Sequence, residues 1–257
     1  MNTITELLIK LRVFTRVSNW QELLQDYFGV LNKPYYTVGI GNILLTLRSK
    51  TTDKWTVHET VLRDDYRLKE VAPYAKVIID LGASSGAFTL LAAQSCPQAK
   101  VYAFEPEPDN NKLLERNVKN NNLTKRVITY ATAIHAMAKT MHLEVKRDVR
   151  SHRVWDQKTN NSVSVKTTTL ESVLGQNKIK KVDLLKMDIE GSEYDVLYSL
   201  PKKVALQIQR MSIEYHNDDP HRRNGTYLSQ HLRSIGFIVE KVDWSPAISG
   251  MIYAKRI

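Results

Sequence analysis

The chain has 257 residues, of which 42% are hydrophobic and 25% are charged, and a single cysteine, Cys96. This composition is that of a globular protein, and it excludes a disordered chain, a collagen-like fibre and a fold held together by disulfides. The formal net charge of +10 favours an anionic partner such as nucleic acid, a membrane surface or an acidic glycan. The basic residues are spread along the chain, so a solvated basic surface is the simpler interpretation.

Nothing in the chain has the character of a membrane-spanning segment. No apolar run approaches the roughly 20 residues that such a helix requires, and Asp80 interrupts the longest candidate, around residues 77–83. Residues 1–17 contain several leucines, but Lys10 and Arg12 interrupt any signal-peptide core. Because Cys96 has no second cysteine to pair with, these features together predict a cytoplasmic protein.

The order of elements predicts an α/β fold. From about Ala75 onward, short β-branched runs alternate with helical patterns, which is typical of βαβ units and a parallel sheet. The last two strands are joined with no room for a helix, so they should form an antiparallel pair. We therefore expect a doubly wound, mostly parallel sheet whose last strand is antiparallel. Its seven strands are predicted at residues 77–81, 101–104, 127–130, 182–187, 210–215, 237–242 and 251–255.

Two regions lie outside this alternation. Residues 1–70 begin with an amphipathic helix and contain no obvious βαβ unit, so we interpret them as a helical cap that faces the substrate. Residues 71–257 would then form the sheet domain. Within it, residues 139–169 contain two strand-like stretches around a polar, basic loop, which predicts an inserted hairpin.

The first strand of the sheet ends in Asp80 and leads into the loop 82–86, which reads Gly-Ala-Ser-Ser-Gly. Glycines let the backbone approach a ligand at the carboxyl end of a strand, where open α/β sheets bind ligands. The spacing is not the G-x-G-x-x-G fingerprint of a dinucleotide site. An acid that can contact an amino group, beside loop amides that can meet a carboxylate, suits a zwitterionic ligand such as S-adenosylmethionine.

A second acid supports the same ligand. Glu105 ends the second strand, about 19 residues after Gly86, where an acid can accept hydrogen bonds from both hydroxyls of a ribose. The glycine loop alone is as often a structural turn as a cofactor site. Together with Glu105 at the neighbouring strand end, it predicts a nucleoside-bearing cofactor.

Acidic residues and a histidine follow strands four and five. Asp188 and Glu190 come after a buried apolar run, where charges are costly unless they face a cleft, so we interpret both as active-site groups. Glu193 is interpreted as an acid in the first turn of a helix. Glu214 and His216 are two residues apart on strand five and therefore point to the same face, so both can reach that cleft.

Four of these segments together resemble the FkbM family of S-adenosylmethionine-dependent methyltransferases: DLGASSG at residues 80–86, FEPE at 104–107, KMDIEGSE at 186–193 and EYH at 214–216. The resemblance covers roughly residues 77–216. It implies a class I methyltransferase fold and methyl transfer, usually to a hydroxyl of a sugar or natural product. It also implies that S-adenosylmethionine is held by Asp80, Gly82, Ala83, Ser84, Gly86, Glu105 and Asp188, with Ala133 beside the adenine.

The chemistry requires oriented reactants and a base for the acceptor's proton. His216 has the suitable unperturbed pKa, and Asp188 competes with it as the base. With His216 as the base, Asp188 and Glu190 would position the substrate and Glu214 would steady the site. Alternatively, a divalent metal held by Asp188, Glu190 and Glu214 would lower the pKa of the acceptor.

The predicted function is O-methylation of a sugar or other polar small molecule, with a small-molecule or glycan acceptor. The alternatives are an RNA methyltransferase and a non-catalytic module that only binds S-adenosylmethionine. The charge favours nucleic acid, but strand four lacks the Asn/Asp-Pro-Pro-aromatic element that holds a base amine.

Overall fold

A seven-stranded sheet forms the centre of the structure, a computed structural model that describes residues 15–144, 153–155, 161–245 and 248–256. In chain order, the described helices and strands are α1 (Trp20–Tyr27), β1 (Tyr35–Ile40), β2 (Ile43–Arg48), α2 (Asp53–Val57), β3 (Val77–Leu81), α3 (Ala87–Ser95), β4 (Lys100–Phe104), α4 (Pro108–Asn120), β5 (Val127–Tyr130), β6 (Ala133–Ile134), β7 (Thr140–Glu144), β8 (Arg153–Trp155), β9 (Ser162–Thr168), α5 (Leu170–Gln176), β10 (Leu184–Met187), α6 (Glu193–Tyr198), α7 (Lys202–Ala205), β11 (Arg210–His216), α8 (Gly225–Ser234), β12 (Ile238–Ser245) and β13 (Ser249–Lys255).

The topology of the central sheet confirms the predicted fold. Its strands lie in the order β12, β13, β11, β10, β3, β4, β5. The pairings among β10, β11, β3, β4 and β5 are parallel, and β13 runs antiparallel to both of its neighbours. The sheet is thus mostly parallel with an antiparallel last strand. All seven predicted strands are present, and their bounds differ by a few residues.

The central strands are buried because helices cover both faces of the sheet. In β3 and β10 the side chains facing either side are almost all buried, which is why both strands have near-continuous apolar sequences. Two apolar clusters result, one on each face. The first includes Ile78 and Phe88, and the second includes Ile79 and Leu185.

The described part of residues 1–70 contains helices, as predicted, and also a hairpin that the sequence analysis did not identify. Strands β1 and β2 pair antiparallel through a two-residue turn at Gly41, whose φ is +59°. The side-chain amide of Asn117 on α4 exchanges hydrogen bonds of 2.9 Å with the backbone of Thr46 on β2. The hairpin is therefore fastened to the sheet domain. The predicted amphipathic helix at residues 4–11 lies outside the described residues.

Residues 139–169 contribute a second, smaller sheet. Strands β7 and β9 pair antiparallel, β8 pairs with β7, and β6 joins β9 in parallel. The basic residues of the predicted loop, 146, 147, 150 and 158, lie outside the described residues. None of the described helices is both long enough and apolar enough to cross a bilayer.

Candidate active site

A cleft of about 860 Å³ opens at the carboxyl ends of β3, β4 and β10. Its position is the one at which open α/β sheets bind ligands. Most of the lining residues come from five segments: residues 56–66 (Thr56, Glu59, Thr60, Tyr66), the loop after β3 (Gly82, Ala83, Ser84), the end of β4 (Glu105, Pro106), the smaller sheet (Ala133, Leu143, Val154) and the loop after β10 (Asp188, Ile189, Glu190). Phe88 of α3, Asn110 of α4 and Lys186 of β10 also line the cleft.

The loop after β3 has a backbone that only glycine permits at its first position. Gly82 has φ +79°, and a Cβ placed on it would lie 1.8 Å from the carbonyl oxygen of Asp188. The loops after β3 and β10 are therefore in direct backbone contact. Gly86 has φ +95° and begins α3 close to Leu114. The hydroxyl of Ser84, which lines the cleft, is buried and makes no hydrogen bond with any described residue.

Glu105 links this loop to the end of β4. Its Oε2 accepts a hydrogen bond from the Ser84 amide at 2.8 Å, and its Oε1 accepts one from the Glu107 amide at 2.9 Å. The side chain of Asn110, which also lines the cleft, donates a third hydrogen bond to this carboxylate. Since each carboxylate oxygen can accept two hydrogen bonds, the group retains acceptor capacity for a ligand donor. Burial raises the pKa of Glu105 to about 7, although the backbone amides oppose the shift.

The structure places Asp80 away from the cleft, which departs from the predicted contact with the amino group of a cofactor. Asp80 is fully buried, its Oδ1 lies 3.1 Å from Lys186 Nζ, and its Oδ2 accepts a hydrogen bond of 2.5 Å from Thr89. Lys186 also donates to the carbonyl of Gly82 at 2.6 Å. Since β3 and β10 pair Asp80 with Lys186 in register, the two charges neutralise each other beneath the loop. Asp80 therefore supports the loop from below.

Asp188 lies on the opposite side of the cleft from Glu105. It follows β10, and its Oδ2 accepts a hydrogen bond of 3.1 Å from the hydroxyl of Tyr66. Tyr66 is almost fully buried, with its ring packed edge-on against Phe88 at 5.4 Å and beneath Lys186 Nζ at 5.2 Å. The region that the sequence identified only as a cap thus contributes a side chain to the site.

His216 lies at the end of β11 among three glutamates. Glu193 Oε1 accepts hydrogen bonds from the His216 amide at 2.8 Å and lies 3.2 Å from its Nδ1. On the other side of the ring, Nε2 lies 3.4 Å from Glu190 and 3.7 Å from Glu214. Glu190 has the left-handed φ of +51°, a strained conformation for a residue with a side chain. The structure therefore brings together three of the predicted catalytic residues. Of these, Glu190 lines the cleft, whereas His216 and Glu214 contact its lining residues and are not among them.

These contacts change the charge expected on the histidine. Burial acts to lower the pKa of His216, but the hydrogen-bonded Glu193 carboxylate raises it. With the charges of Glu190 and Glu214 added, the pKa of His216 lies well above its ordinary value. Burial also raises the pKa of Glu214 well above its ordinary range, and the charge of Asp188 adds to the shift. His216 becomes a neutral base only at a higher pH than a free histidine.

Asp188, Glu214 and His216 form a candidate cation site. One ligand atom from each of Asp188, Glu214 and His216 lies within 4.8 Å of the other two. Carboxylate and imidazole groups suit a divalent cation such as Mg²⁺ or Mn²⁺. The predicted metal set contained Glu190 in place of His216. Glu190 contacts the imidazole of His216 and therefore lies next to the three residues of the cation site.

Two residues that the sequence analysis did not assign to the site have clear roles in the geometry. Glu193 was interpreted as a helix-terminal acid, but it is fully buried and holds the backbone and ring of His216. Its position three residues after Glu190 is the one local feature of the sequence that pointed toward the site. Tyr66 gave none, because it is 122 positions from Asp188 in the sequence. Ala133 lies in the lining, as predicted, and its contact with adenine stays a prediction.

The sheet topology, with a cleft at the carboxyl ends of its strands, is that of the class I methyltransferase fold. Comparison with known families agrees with this. The sequence profile of the methyltransferase FkbM domain matches residues 80–240, more than half of the chain. The chain therefore belongs to the FkbM methyltransferase family, and the resemblance found in the sequence is confirmed.

Individual relatives are distant. The chain is 27% identical over 216 residues to a protein named Methyltransferase 1 from Beauveria bassiana, a match that covers 74% of this chain and 84% of that protein. It is 25% identical over 217 residues to methyltransferase sdnD from Sordaria araneosa, covering 72% and 83%. The crystal structure of a methyltransferase FkbM from Methylobacillus flagellatus KT matches with a TM-score of 0.49 and 15% identity, covering 78% of this chain and 53% of that structure.

Proposed function

We propose that this methyltransferase uses S-adenosylmethionine and transfers its methyl group to a hydroxyl of a sugar or other small polar molecule. The observation that carries the proposal is the convergence of His216 and Glu214 with Asp188 and Glu190. Asp188 and Glu190 line the cleft that also contains Glu105 and the glycine loop. One part of the cleft is thus suited to a nucleoside cofactor, and the adjacent part to a hydroxylated acceptor.

The cofactor part fits S-adenosylmethionine in three respects. The Glu105 carboxylate retains acceptor capacity for a ribose hydroxyl, and the hydroxyl of Ser84, which has no partner among the described residues, lies in the lining. Gly82 keeps the backbone open where a side chain would block it. These residues would hold the cofactor, which supplies an activated methyl group when bound. Gly86 and Ala83 would complete the loop, and Lys186 with Asp80 would keep it in place from below.

The acceptor part favours a hydroxyl because it combines a basic group with several carboxylates. Hydrogen bonds from sugar hydroxyls to Asp188 and Glu190 would orient the substrate, and His216 in its neutral form would accept the proton. Glu214 would steady the imidazole at 3.7 Å. The loop after β10 reads Asp-Ile-Glu-Gly and contains no pair of prolines to seat a nucleobase. These features favour a sugar-like acceptor over RNA.

A divalent cation held by Asp188, Glu214 and His216 is the second candidate for activating the acceptor, and the geometry of that group favours it. Such a cation would lower the pKa of the acceptor hydroxyl. In that case His216 would be a ligand, and Glu190 would position the acceptor. The two candidates differ in whether turnover requires added metal.

Residues 53–66 would select the acceptor. Thr56, Glu59, Thr60 and Tyr66 line the cleft and belong to the region before the sheet domain. We also propose that the protein acts in the cytoplasm. The buried, unpaired Cys96 fits a reducing compartment, and burial raises the pKa of its thiol to about 11, which makes oxidation slow.

A methyl-transfer screen with labelled S-adenosylmethionine tests the proposal. Sugars and small hydroxylated metabolites should accept the label, and mass spectrometry should locate the methyl group on oxygen. An Asp188→Asn variant is the negative control, because it keeps the shape of the site and removes a carboxylate. Label on a nucleobase would contradict the proposed acceptor. Absence of S-adenosylmethionine binding by calorimetry would contradict the proposed cofactor.

A further inference from the structure

The edge of the sheet opposite the cleft carries a row of basic residues. Lys76 precedes β3, Lys100 begins β4 and Arg126 precedes β5. The Lys100 amide donates a hydrogen bond of 2.9 Å to the carbonyl of Lys76, and the Val101 amide donates one of 2.8 Å to Arg126. These basic residues are therefore direct neighbours across three strands, which lie about 4.8 Å apart.

The row continues past β3. Lys181 precedes Val182, whose amide bonds to the segment that leads into β11, and Arg210 at the start of β11 pairs with Lys255 of β13. The segments around the helices that return the chain to this edge contain further exposed lysines. Lys119 lies in the last turn of α4 and Lys125 follows that helix, Lys178 and Lys180 follow α5, and Lys202 and Lys203 begin α7.

The acids near this edge are already engaged. Asp183 is buried and accepts hydrogen bonds from the amides of residues 76 and 77, with Lys181 3.2 Å away. Glu171 pairs with Lys203 at 2.6 Å and Glu70 with Arg210 at 2.7 Å. Seven exposed lysines at this edge form no ion pair within the part of the chain that the structure describes: 76, 100, 119, 125, 178, 180 and 202.

Two large apolar side chains are exposed among these lysines. Tyr74, two positions before Lys76, is 54% exposed, and so is Leu206, which follows Lys203 on α7. A leucine offers nothing to a phosphate backbone and no ring for a base to stack on. A lipid bilayer presents anionic headgroups and an apolar interior at the same surface. The combination of unpaired lysines with exposed apolar side chains therefore fits a membrane better than a nucleic acid.

We propose that this basic edge is a docking surface for an anionic membrane. The acidic groups that line the cleft, Glu105, Asp188 and Glu190, lie at the opposite edge of the same sheet. Docking through the basic edge turns the cleft away from the lipid, so that it stays open to a dissolved acceptor. We therefore attribute the net charge of +10 to binding at a membrane and not to recognition of an anionic acceptor. The inference does not depend on the identity of the acceptor.

Co-sedimentation with vesicles tests this surface. The full chain is mixed with phosphatidylcholine vesicles, and with vesicles in which about one lipid in three is phosphatidylserine. Binding should require phosphatidylserine and weaken with added salt. The triple variant Lys76→Glu, Lys100→Glu, Lys180→Glu should lose about 100-fold or more in partition coefficient, since each lysine near an anionic surface contributes about fivefold. Leu206→Ser should weaken binding several-fold without changing its salt dependence.

The matched control is Lys50→Glu, Lys112→Glu, Lys166→Glu, which removes the same charge from exposed lysines elsewhere. It should keep most of the binding. Both triple variants should bind S-adenosylmethionine like the parent, and Lys→Gln versions replace them if folding suffers. Equal losses in both triple variants, or equal binding to neutral vesicles, would overturn the proposal. So would selective loss of binding to a labelled RNA by the edge variant with no vesicle binding by the parent.

Discussion

The two parts of the cleft are built in different ways. The cofactor part is formed by two adjacent strand ends, and backbone amides of residues 84 and 107 fix Glu105 directly. The acceptor part is formed by side chains that meet from three distant segments, with Tyr66, Asp188 and His216 each held by another side chain. The first part is determined by local backbone geometry and the second by a charge network. Mutations should therefore separate them, with cofactor binding and turnover responding to different residues.

The largest difference between the effects on turnover and on cofactor binding is expected for His216→Ala. Turnover should fall by about two to four orders of magnitude, because general-base catalysis is typically worth about that much. S-adenosylmethionine affinity, measured by calorimetry, should stay at the parental value, because His216 does not line the cofactor part. His231→Ala is the control, since that imidazole contacts the carbonyl of Leu197 on α6 at 3.0 Å, outside the cleft lining.

Metal removal sharpens the same comparison. If a cation is held by Asp188, Glu214 and His216, a chelator should abolish parental turnover and Mg²⁺ or Mn²⁺ should restore it. If His216 is the base, the chelator should leave turnover unchanged. Parental turnover in His216→Ala, with no effect of chelator, would contradict both roles and direct the search to Asp188.

Glu105→Ala should have the opposite pattern, with its main effect on cofactor binding. It leaves two ribose donors unpaired in a partly buried site, so cofactor binding should weaken by about 1 to 3 kcal/mol. Glu107→Ala is the matched control. That carboxylate caps α4 by accepting from the Asn110 amide and does not line the cleft. Its loss should lower the free energy of unfolding by about 0.5 to 2 kcal/mol without changing cofactor affinity. Unchanged affinity in Glu105→Ala would contradict the assigned role.

The pKa of Glu105, about 7, gives the cofactor part its own pH dependence. The ionised carboxylate is the form that accepts from ribose, so affinity should fall about tenfold for each pH unit below this pKa and level off above it. Because folding raises the pKa of Glu105 from 4.5 to about 7, this residue should also make the free protein less stable as pH rises between these two values, with no further loss above about 7. Both pH dependences should disappear in Glu105→Gln. Calorimetry and thermal unfolding from about pH 5 to about pH 9, roughly two pH units on either side of the pKa, would measure them. A parental pH dependence in that variant would assign the titration to another group.

The same contrast explains what the sequence could predict. The sheet, the glycine loop and Glu105 follow from strand periodicity and from acids at strand ends, which are local signals. The contact of Asp80 with Lys186 could not be predicted, because the two become neighbours only through the pairing of β3 with β10. The predicted contact of Asp80 with the cofactor stays a prediction. The roles of Glu193 and Tyr66 depend on contacts across 23 and 122 positions. Contacts between residues so far apart in the sequence do not follow from its hydrophobic periodicity.

The smallest effect is expected for Tyr66→Phe. The substitution removes the hydrogen bond of 3.1 Å to Asp188 and keeps the ring packed on Phe88, so it should cost about 0.5 to 1.5 kcal/mol. If Tyr66 orients Asp188 for the acceptor, that cost should be seen in kcat/KM for the acceptor and not in cofactor affinity.

Tyr36→Phe is the matched control for this last measurement. Its hydroxyl also donates to a buried carboxylate, that of Asp26 at 3.2 Å, and it also precedes the sheet domain, but it does not line the cleft. It should lower the free energy of unfolding by a similar amount and leave kcat/KM unchanged. Equal kinetic effects in both variants would show that Tyr66 acts only through stability, and that residues 53–66 support the site without selecting its acceptor.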